Sequence, residues 1–333
     1  MTLTCVGCAF IFNLKKELFF YEMKHCKNTQ ESHDATSFLP KVRELILSGG
    51  GTGGIGMLGA LHYLHEHGHF QQIRHWIGAS VGAMISVLLI AGYTPMLVYQ
   101  ILEGLQFEKF VETINGDSVL GFFDTMGISE PSVIMRLYDV MMKKKNYDQN
   151  VTLAEFQART ETNFTISGYN VTRGKTVAFN AQSHPRMPLR LAVRISISVP
   201  LLFRPIVFEN ELYIDGAVAD HVPIHFAKYK RRSLIVQCYN EHPPVWKNAT
   251  NVLELSRQMY QQIGRKMENY CIDKVKHKRP DTLIYVTVPQ SENSNGVVDY
   301  SLNKQGKFKL FNVGYQCCED HFRTCSKSLK VNR

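Results

Sequence analysis

Ser80 lies in a sequence setting that is typical of a reactive serine. It is the central residue of Gly78-Ala79-Ser80-Val81-Gly82, a G-x-S-x-G pattern, with a short apolar strand, Ile73–Ile77, before it and an apolar helix, Ala83–Ala91, after it. A sharp strand-to-helix turn strains the serine backbone and exposes its oxygen, and the two glycines let strand and helix approach closely. The helix also directs its partial positive end at an oxyanion formed there. The pattern therefore predicts that Ser80 is a nucleophile.

A glycine-rich loop lies ahead of this turn in the chain. It reads Gly49-Gly50-Gly51-Thr52-Gly53-Gly54 and follows the apolar run Val42–Leu47. Backbone N–H groups at a helix N-terminus form an anion site, and bare glycines let a substrate oxygen approach them. Two interpretations compete. The loop is either an oxyanion hole for acyl transfer or a dinucleotide fingerprint, because Gly49, Gly51 and Gly54 satisfy G-x-G-x-x-G.

The end of the second strand distinguishes these two interpretations. A dinucleotide site needs an acid there to hold the ribose, but this chain has Arg74, His75 and Trp76, followed by the serine turn. A phosphate-binding P-loop also fails, because no Lys-Ser or Lys-Thr pair follows the glycines. A βαβ arrangement places the glycine loop beside the Ser80 turn at the carboxyl edge of adjacent strands. The sequence therefore favours an oxyanion hole and argues against a bound nucleotide.

An acidic residue, Asp215, supplies the third motif. It follows a short apolar strand, Leu212–Ile214, and begins Asp215-Gly216-Ala217. An isolated Asp-Gly pair is most often only a turn. Here, however, the glycine loop, G-x-S-x-G and D-G-A occur in that order, and together they resemble the patatin-like phospholipase family.

The resemblance extends beyond the three motifs. Ser196–Phe203 resembles the family's small-residue helix that ends in a proline before a strand. Asp215–Pro223 resembles its D-G-[GA]-x-x-x-N-x-P segment, and the similarity covers the chain from about Glu44 to Ile224. This resemblance implies an α/β protein with a three-layer fold, in which a mostly parallel sheet carries helices on both faces.

The resemblance also implies a Ser-Asp dyad instead of a triad. Ser80 matches the nucleophile, Asp215 matches the base that accepts its proton, and Gly50 and Gly51 match the oxyanion donors. An aspartate alone is a weak base that we expect to be almost wholly ionised at neutral pH. Its short reach requires direct contact with the serine hydroxyl, so positioning must replace basicity.

The chain departs from the family pattern at two positions and contains histidines that suggest an alternative. Gly53 stands where the family usually has Arg or Lys, and His221 stands where it usually has Asn. His221, His225 and His242 follow Asp215, so the order Ser, Asp, His of an α/β-hydrolase triad is also present. A dyad should show no loss of activity that tracks a histidine pKa near 6.5, and a triad should show one.

The function that this resemblance implies is hydrolysis of phospholipid or lysophospholipid esters through an acyl-Ser80 intermediate, without a cofactor or metal. Two alternatives stay open. One is neutral-lipid hydrolysis or acyl transfer, and the other is a catalytically silent lipid-binding protein, suggested by Gly53 and His221. A stretch rich in Met and Phe is predicted to pack in the core or to wall an acyl channel or lid: Phe107, Phe110, Phe122, Phe123, Met126, Met135, Met141 and Met142.

Charge and cysteine usage limit the partners. The formal net charge is +9, and short basic clusters are usually solvated faces, although they also suit an anionic lipid surface and therefore peripheral membrane contact. The clusters are Lys143–Lys145, Lys228–Arg232, Lys274–Arg279 and Lys304–Lys309. No zinc-finger or RNA-binding signature is present, which argues against nucleic acid. The eight cysteines lack framework spacing and Cys5 and Cys8 lack a second ligand pair, so we expect free thiols in the cytoplasm and no metal.

The remaining pattern predicts the elements and the domain organisation. The apolar run Cys5–Leu14 lacks a preceding positive charge and a cleavage site, which argues against a signal peptide, and no run of eighteen apolar residues could span a bilayer. We expect an N-terminal extension and linker over residues 1–40, one α/β domain over 41–315, and a fraying tail over 316–333. The predicted later elements are helices at Val133–Met142, Leu189–Ser198 and Val252–Lys276, and strands at Phe164–Tyr169, Thr176–Asn180, Leu202–Glu209, Leu212–Ile214, Ser233–Tyr239 and Thr282–Val288.

Overall fold

The architecture is described by a computed structural model. It covers residues 42–105, 127–129, 132–228, 233–239, 248–250, 252–278, 283–287, 299 and 301–331. The chain divides between Phe38 and Leu39, and every described residue belongs to the second unit. The predicted N-terminal extension therefore lies outside the described residues, as do Phe107, Phe110, Phe122, Phe123, Met126 and His242.

The described elements alternate between strands and helices over most of the chain. The strands are β1 (Glu44–Leu47), β2 (His75–Ala79), β3 (Gly127–Ser129), β4 (Asn163–Asn170), β5 (Lys175–Phe179), β6 (Leu201–Phe203), β7 (Ile206–Phe208), β8 (Glu211–Asp215), β9 (Ser233–Tyr239) and β10 (Leu283–Thr287). The helices are α1 (Gly54–Glu66), α2 (Val81–Ile90), α3 (Pro95–Glu103), α4 (Ser132–Lys144), α5 (Leu153–Thr160), α6 (Leu189–Ser196), α7 (Val252–Lys278) and α8 (Lys304–Val331).

One mixed sheet organises these elements. Its strand order is β10-β9-β1-β2-β4-β8-β7, with β5 also paired to β4. The five strands from β10 to β4 are parallel, whereas β5, β7 and β8 pair antiparallel with their neighbours. Helices lie on both sides of the sheet, and the central strands are apolar and buried on both faces, as such a sandwich requires. The predicted α/β three-layer fold with a mostly parallel sheet is therefore confirmed.

A buried polar cluster fastens the amino-terminal edge of the sheet. The Glu44 carboxylate, fully buried in β1, accepts hydrogen bonds from the Ser233 hydroxyl and the Lys228 backbone N–H, both at 2.8 Å. It also bonds Nδ1 of His75 at 2.8 Å, and Nε2 of that ring bonds the Thr165 hydroxyl at 2.9 Å. The cluster thus joins β1, β2, β4 and β9, at the end of the sheet opposite the glycine loop and Ser80.

The expected C-terminal tail is part of a helix. Residues 304–331 form α8, which crosses α1 so closely that a Cβ on Gly314 would lie 1.7 Å from the Gly56 carbonyl oxygen. Cys318 and Phe322 are buried, so the fraying expected from Cys317 onward is wrong for this part of the helix. Small residues on both helices allow the backbones to meet, and the apolar side chains beyond them then become buried.

Two further elements refine the sequence prediction. The strand predicted over Leu202–Glu209 is split into β6 and β7, because Pro205 between them cannot donate a ladder hydrogen bond. Three methionines of the Met- and Phe-rich stretch, Met135, Met141 and Met142, are buried in α4, in agreement with core packing. Within the ranges given above, no helix is both long and apolar enough to cross a membrane.

Candidate active site

The Ser80 turn has the strained geometry that its sequence pattern predicts. Ser80 lies between β2 and α2 with φ 54° and ψ −128°, a backbone region that is unfavourable for any residue other than glycine. Both flanking glycines are required by close contacts. A Cβ on Gly78 would lie 2.5 Å from the Ala83 nitrogen, and one on Gly82 would lie 2.4 Å from the Ser48 carbonyl oxygen.

Ser196 fixes the backbone of this turn from α6. The Ser80 N–H donates to Oγ of Ser196 at 3.0 Å, and that hydroxyl donates in turn to the Ser167 carbonyl at 2.6 Å. Ser196 is fully buried, so no water replaces these bonds. The sequence shows Ser196 only as part of a small-residue segment, because a contact between positions so far apart in the chain has no local signal.

Asp215 contacts the serine hydroxyl directly. The Ser80 Oγ–H donates to Oδ2 of Asp215 at 2.6 Å, and the carboxylate is almost completely buried. The sheet register explains the meeting: Ala79 pairs with Ser167, and the next residue of β4, Gly168, pairs with Asp215. The Ala217 N–H donates to Oδ1 at 2.8 Å, which orients the carboxylate with Oδ2 toward the serine.

Burial changes the basicity of this carboxylate. It raises the pKa of Asp215 from 3.8 to about 7, against the opposing effects of the hydrogen bonds from Ser80 and Ala217 and of the His221 charge. The expectation that this aspartate is almost wholly ionised at neutral pH is therefore wrong. Because its pKa is close to that of a histidine, an activity loss near pH 7 does not distinguish a dyad from a triad. A base whose pKa lies near the working pH is well matched to proton transfer.

The glycine loop lies against the nucleophile turn. A Cβ on Gly54 would lie 2.6 Å from a methyl carbon of Val81, the residue after the serine. The Gly49 N–H donates to the His221 carbonyl and the Gly53 N–H to the Gly50 carbonyl. Within the described residues, the N–H groups of Gly50 and Gly51 have no such internal acceptor. The loop that carries these two N–H groups therefore lies next to the turn that bears Ser80.

Two of the three histidines considered for a triad are described. His221 Nε2 lies 3.2 Å from the Cys238 carbonyl oxygen, and Nδ1 of His225 contacts the Asp220 carboxylate. In the described contacts the Ser80 hydroxyl bonds a carboxylate and not an imidazole. Among the described residues no cluster of His, Cys, Asp or Glu could hold a metal ion, and the position of a ribose-binding acid after β2 is occupied by the serine turn.

The chain matches one protein family and several curated proteins in sequence. The family described as patatin-like phospholipase matches residues 45–228. The probable lipid hydrolase 463L of Invertebrate iridescent virus 6 is 31% identical over 201 residues, which is 59% of this chain and 67% of that protein. The uncharacterized protein YqhO of Bacillus subtilis is 22% identical over 282 residues, 81% of this chain and 94% of that protein.

Solved structures share the fold. VipD from Legionella pneumophila superposes with a TM-score of 0.53 at 14% identity, over 92% of this chain and 73% of that one. ExoU in its complex with SpcU, from Pseudomonas aeruginosa, gives 0.50 at 18% identity, over 86% of this chain and 52% of that one. At this identity the likeness concerns the fold alone.

Proposed function

Because the chain belongs to the patatin-like phospholipase family, we propose that it is a serine hydrolase that cleaves carboxylic esters of membrane lipids, as a phospholipase A or lysophospholipase. A lipid substrate and a hydrolase activity agree with the family and with the relative named as a probable lipid hydrolase. The finer claims are the Ser-Asp dyad and the class of lipid. The single observation that supports the dyad is the 2.6 Å hydrogen bond from Ser80 Oγ to Asp215 Oδ2.

The proposed reaction proceeds in two halves. Ser80 Oγ attacks the acyl carbon while its proton passes to Oδ2 of Asp215, and the carbonyl oxygen, now negative, accepts hydrogen bonds from the Gly50 and Gly51 N–H groups. The C–O bond to the alcohol then breaks, and the Asp215 proton passes to the leaving oxygen. In the second half Asp215 takes a proton from water, the hydroxide attacks acyl-Ser80, and the fatty acid leaves as Ser80 regains its proton.

Two electrostatic features support this sequence of steps. The carboxylate is buried, so its ionised form is destabilised and it gains more from accepting the serine proton than an exposed aspartate would. Helix α2 begins at Val81 and directs its partial positive N-terminal end at the reacting atoms. Both features favour the charge distribution of the tetrahedral intermediate over that of the free enzyme.

Purified Ser80→Ala and Asp215→Asn variants, assayed with fluorogenic short-chain and long-chain esters, test the proposal. Each should lose about a thousandfold or more in kcat. Ser86→Ala is the matched control. Ser86 is a buried serine of α2 whose hydroxyl donates to the Gly82 carbonyl within the same helix, so this variant should retain activity. Undiminished turnover by either dyad variant would rule the dyad out. Product analysis with phospholipid, lysophospholipid and triacylglycerol substrates then separates phospholipase from neutral-lipid hydrolase.

Peripheral contact with an anionic membrane from the cytoplasm is part of the same proposal. Helix α7 exposes an apolar stripe, since Val252, Leu255, Met259 and Ile263 are 48–76% exposed although they follow helical spacing. The exposed Lys266 continues the stripe, and the helix ends within the basic cluster Lys274–Arg279. An apolar stripe with adjoining basic residues is what a helix lying on anionic lipid needs. Helix α7 lies in the crossover between the parallel strands β9 and β10, so the chain leads into it from the carboxyl edge of the sheet, the edge at which Ser80 follows β2.

Vesicle sedimentation tests this surface. The wild type should bind vesicles containing phosphatidylserine more strongly than vesicles of phosphatidylcholine alone. Met259→Glu with Ile263→Glu should lower the bound fraction by about tenfold and leave hydrolysis of a soluble short-chain ester unchanged. The control is Val207→Glu, at a residue 69% exposed on β7. Equal binding by the wild type and the α7 variant, or equal loss in the control, would contradict the assignment.

A further inference from the structure

His221 lies where three parts of the site meet. It follows the Asp215-Gly216-Ala217 turn by four residues, and its backbone carbonyl accepts the N–H of Gly49, the first glycine of the loop, at 3.0 Å. Its ring Nε2 lies 3.2 Å from the carbonyl oxygen of Cys238 in β9. A carbonyl oxygen can only accept, so Nε2 carries the proton and donates. Backbone and ring of one residue therefore hold two segments that are distant in the sequence.

The packing around the ring ties the same segments together. A Cβ on Gly49 would lie 2.5 Å from Cβ of Ala217 and 3.3 Å from Nδ1 of His221. Cys238, which the ring contacts, also donates its N–H to the Ser48 hydroxyl at 3.0 Å, just before the glycine loop. A Cβ on Gly50 would lie 2.7 Å from Cβ of Cys238. The glycine loop is thus enclosed between β9 and the turn that bears Asp215, with the imidazole on one side.

The ring also acts on the carboxylate through charge. Its positive form lowers the pKa of Asp215, which burial alone would raise further. Two further titratable groups lie on the elements that adjoin the ring. Cys238 lies across from it on β9, and Asp220, adjacent on its own segment, is paired with His225. His221 therefore joins the hydrogen bonds from Ser80 and Ala217 in lowering the pKa of Asp215 against the effect of burial.

We propose that His221 is a positioning residue, which sets the distance between the oxyanion donors and Asp215 and favours the ionised state of that base. It does not accept the Ser80 proton. This inference rests on the proposed function, because it assigns a role in the same reaction. It also gives a role to a departure from the family pattern, because the imidazole that stands in place of the usual Asn reaches the Cys238 carbonyl of β9.

Two substitutions separate the roles of the ring. His221→Gln keeps an N–H donor with the reach of Nε2 but removes the charge. It should retain kcat within about threefold at pH 9 and move the acid limb of the pH profile of kcat/KM upward by about half a unit. His221→Ala removes both, and its plateau kcat should fall by about ten- to a hundredfold while KM changes by less than about threefold, because oxyanion donors act on the transition state. His225→Gln, four residues along the same segment, is the matched control.

The outcomes are distinguishable. The inference would be overturned if His221→Ala left both the plateau kcat and the acid limb of the pH profile unchanged. It would also be overturned if His221→Gln lost activity at every pH, because the imidazole would then be the proton acceptor. If the wild type cleaves no ester, the proposed function has failed. In that case the pH dependence of the unfolding free energy tests the inference without any substrate. In His221→Gln the pH range over which the unfolding free energy falls should extend to higher pH, because Asp215 keeps its proton to higher pH. The same pH range in the variant and the wild type would overturn the inference.

Discussion

Replacing the proposed base by its neutral isostere should make the protein more stable as well as inactive. In Asp215→Asn the side chain keeps its shape but carries no charge. Burial raises the pKa of Asp215 from 3.8 to about 7, a shift of roughly three units, and each unit corresponds to 1.36 kcal/mol. Ionised Asp215 therefore costs about 4 kcal/mol of unfolding free energy above pH 7, and the variant should recover most of it.

The pH dependence has a defined sign and window. Below pH 3.8 the aspartate is protonated in both folded and unfolded states, so its charge costs nothing. Between pH 3.8 and 7 the folded protein retains a proton that the unfolded chain has lost, so the stability of the wild type falls as pH rises. Above pH 7 the loss is complete. The stability gained by Asp215→Asn over the wild type should therefore be small near pH 4 and grow up to pH 7.

Urea unfolding followed by circular dichroism at pH 4.5 to 8.5 measures this difference. Ser80→Ala is the control, because it removes the reacting hydroxyl but keeps the carboxylate. Losing that hydrogen bond should raise the pKa of Asp215 further, so the control should retain a pH dependence. The reasoning is refuted if Asp215→Asn is no more stable than the wild type at pH 8, or if the two curves run parallel across the window.

Three further outcomes are expected. The kcat/KM of the wild type should fall below about pH 7 with the slope of a single proton, since protonated Asp215 cannot accept the Ser80 proton, and a flat pH 5–8 profile would contradict this. Ser196→Ala should lower kcat about tenfold and the unfolding free energy by about 1–3 kcal/mol, because the buried Ser80 N–H loses its acceptor. An unchanged kcat would argue against a positioning role. Glu44→Ala should lower the unfolding free energy by about 3–5 kcal/mol, because it removes the carboxylate that joins the ends of β1, β2 and β9. A loss below about 1 kcal/mol in urea unfolding would show that the cluster is not stabilising.

Local sequence patterns were sufficient for the motifs and the fold class. The Ser80 turn is a strand, a turn and a helix in direct succession, so its geometry follows from adjacent residues. The glycine loop and the end of β2 are joined by a single βαβ unit, which places them side by side. The family resemblance then supplied Asp215, which spacing alone could not have distinguished from an ordinary Asp-Gly turn.

Tertiary effects explain what the sequence did not predict. The pKa of Asp215 depends on burial by elements distant in the chain, so the reference pKa of an exposed aspartate does not apply to it. Ser196 meets Ser80 only after α6 packs against the sheet. Helix α8 looked like a tail because its apolar residues are sparse, and its burial depends on the close crossing with α1 that Gly59 and Gly314 allow.

Covalent labelling with a fluorophosphonate, followed by mass spectrometry of the peptides, tests the central claim most directly. The claim is that Ser80, deprotonated by Asp215, forms the bond to the acyl group. The wild type should gain one adduct on the peptide that contains Ser80, Ser80→Ala should gain none, and Asp215→Asn should label at least about a hundredfold more slowly. An adduct on another residue, or equal labelling of the wild type and Asp215→Asn, would contradict the account.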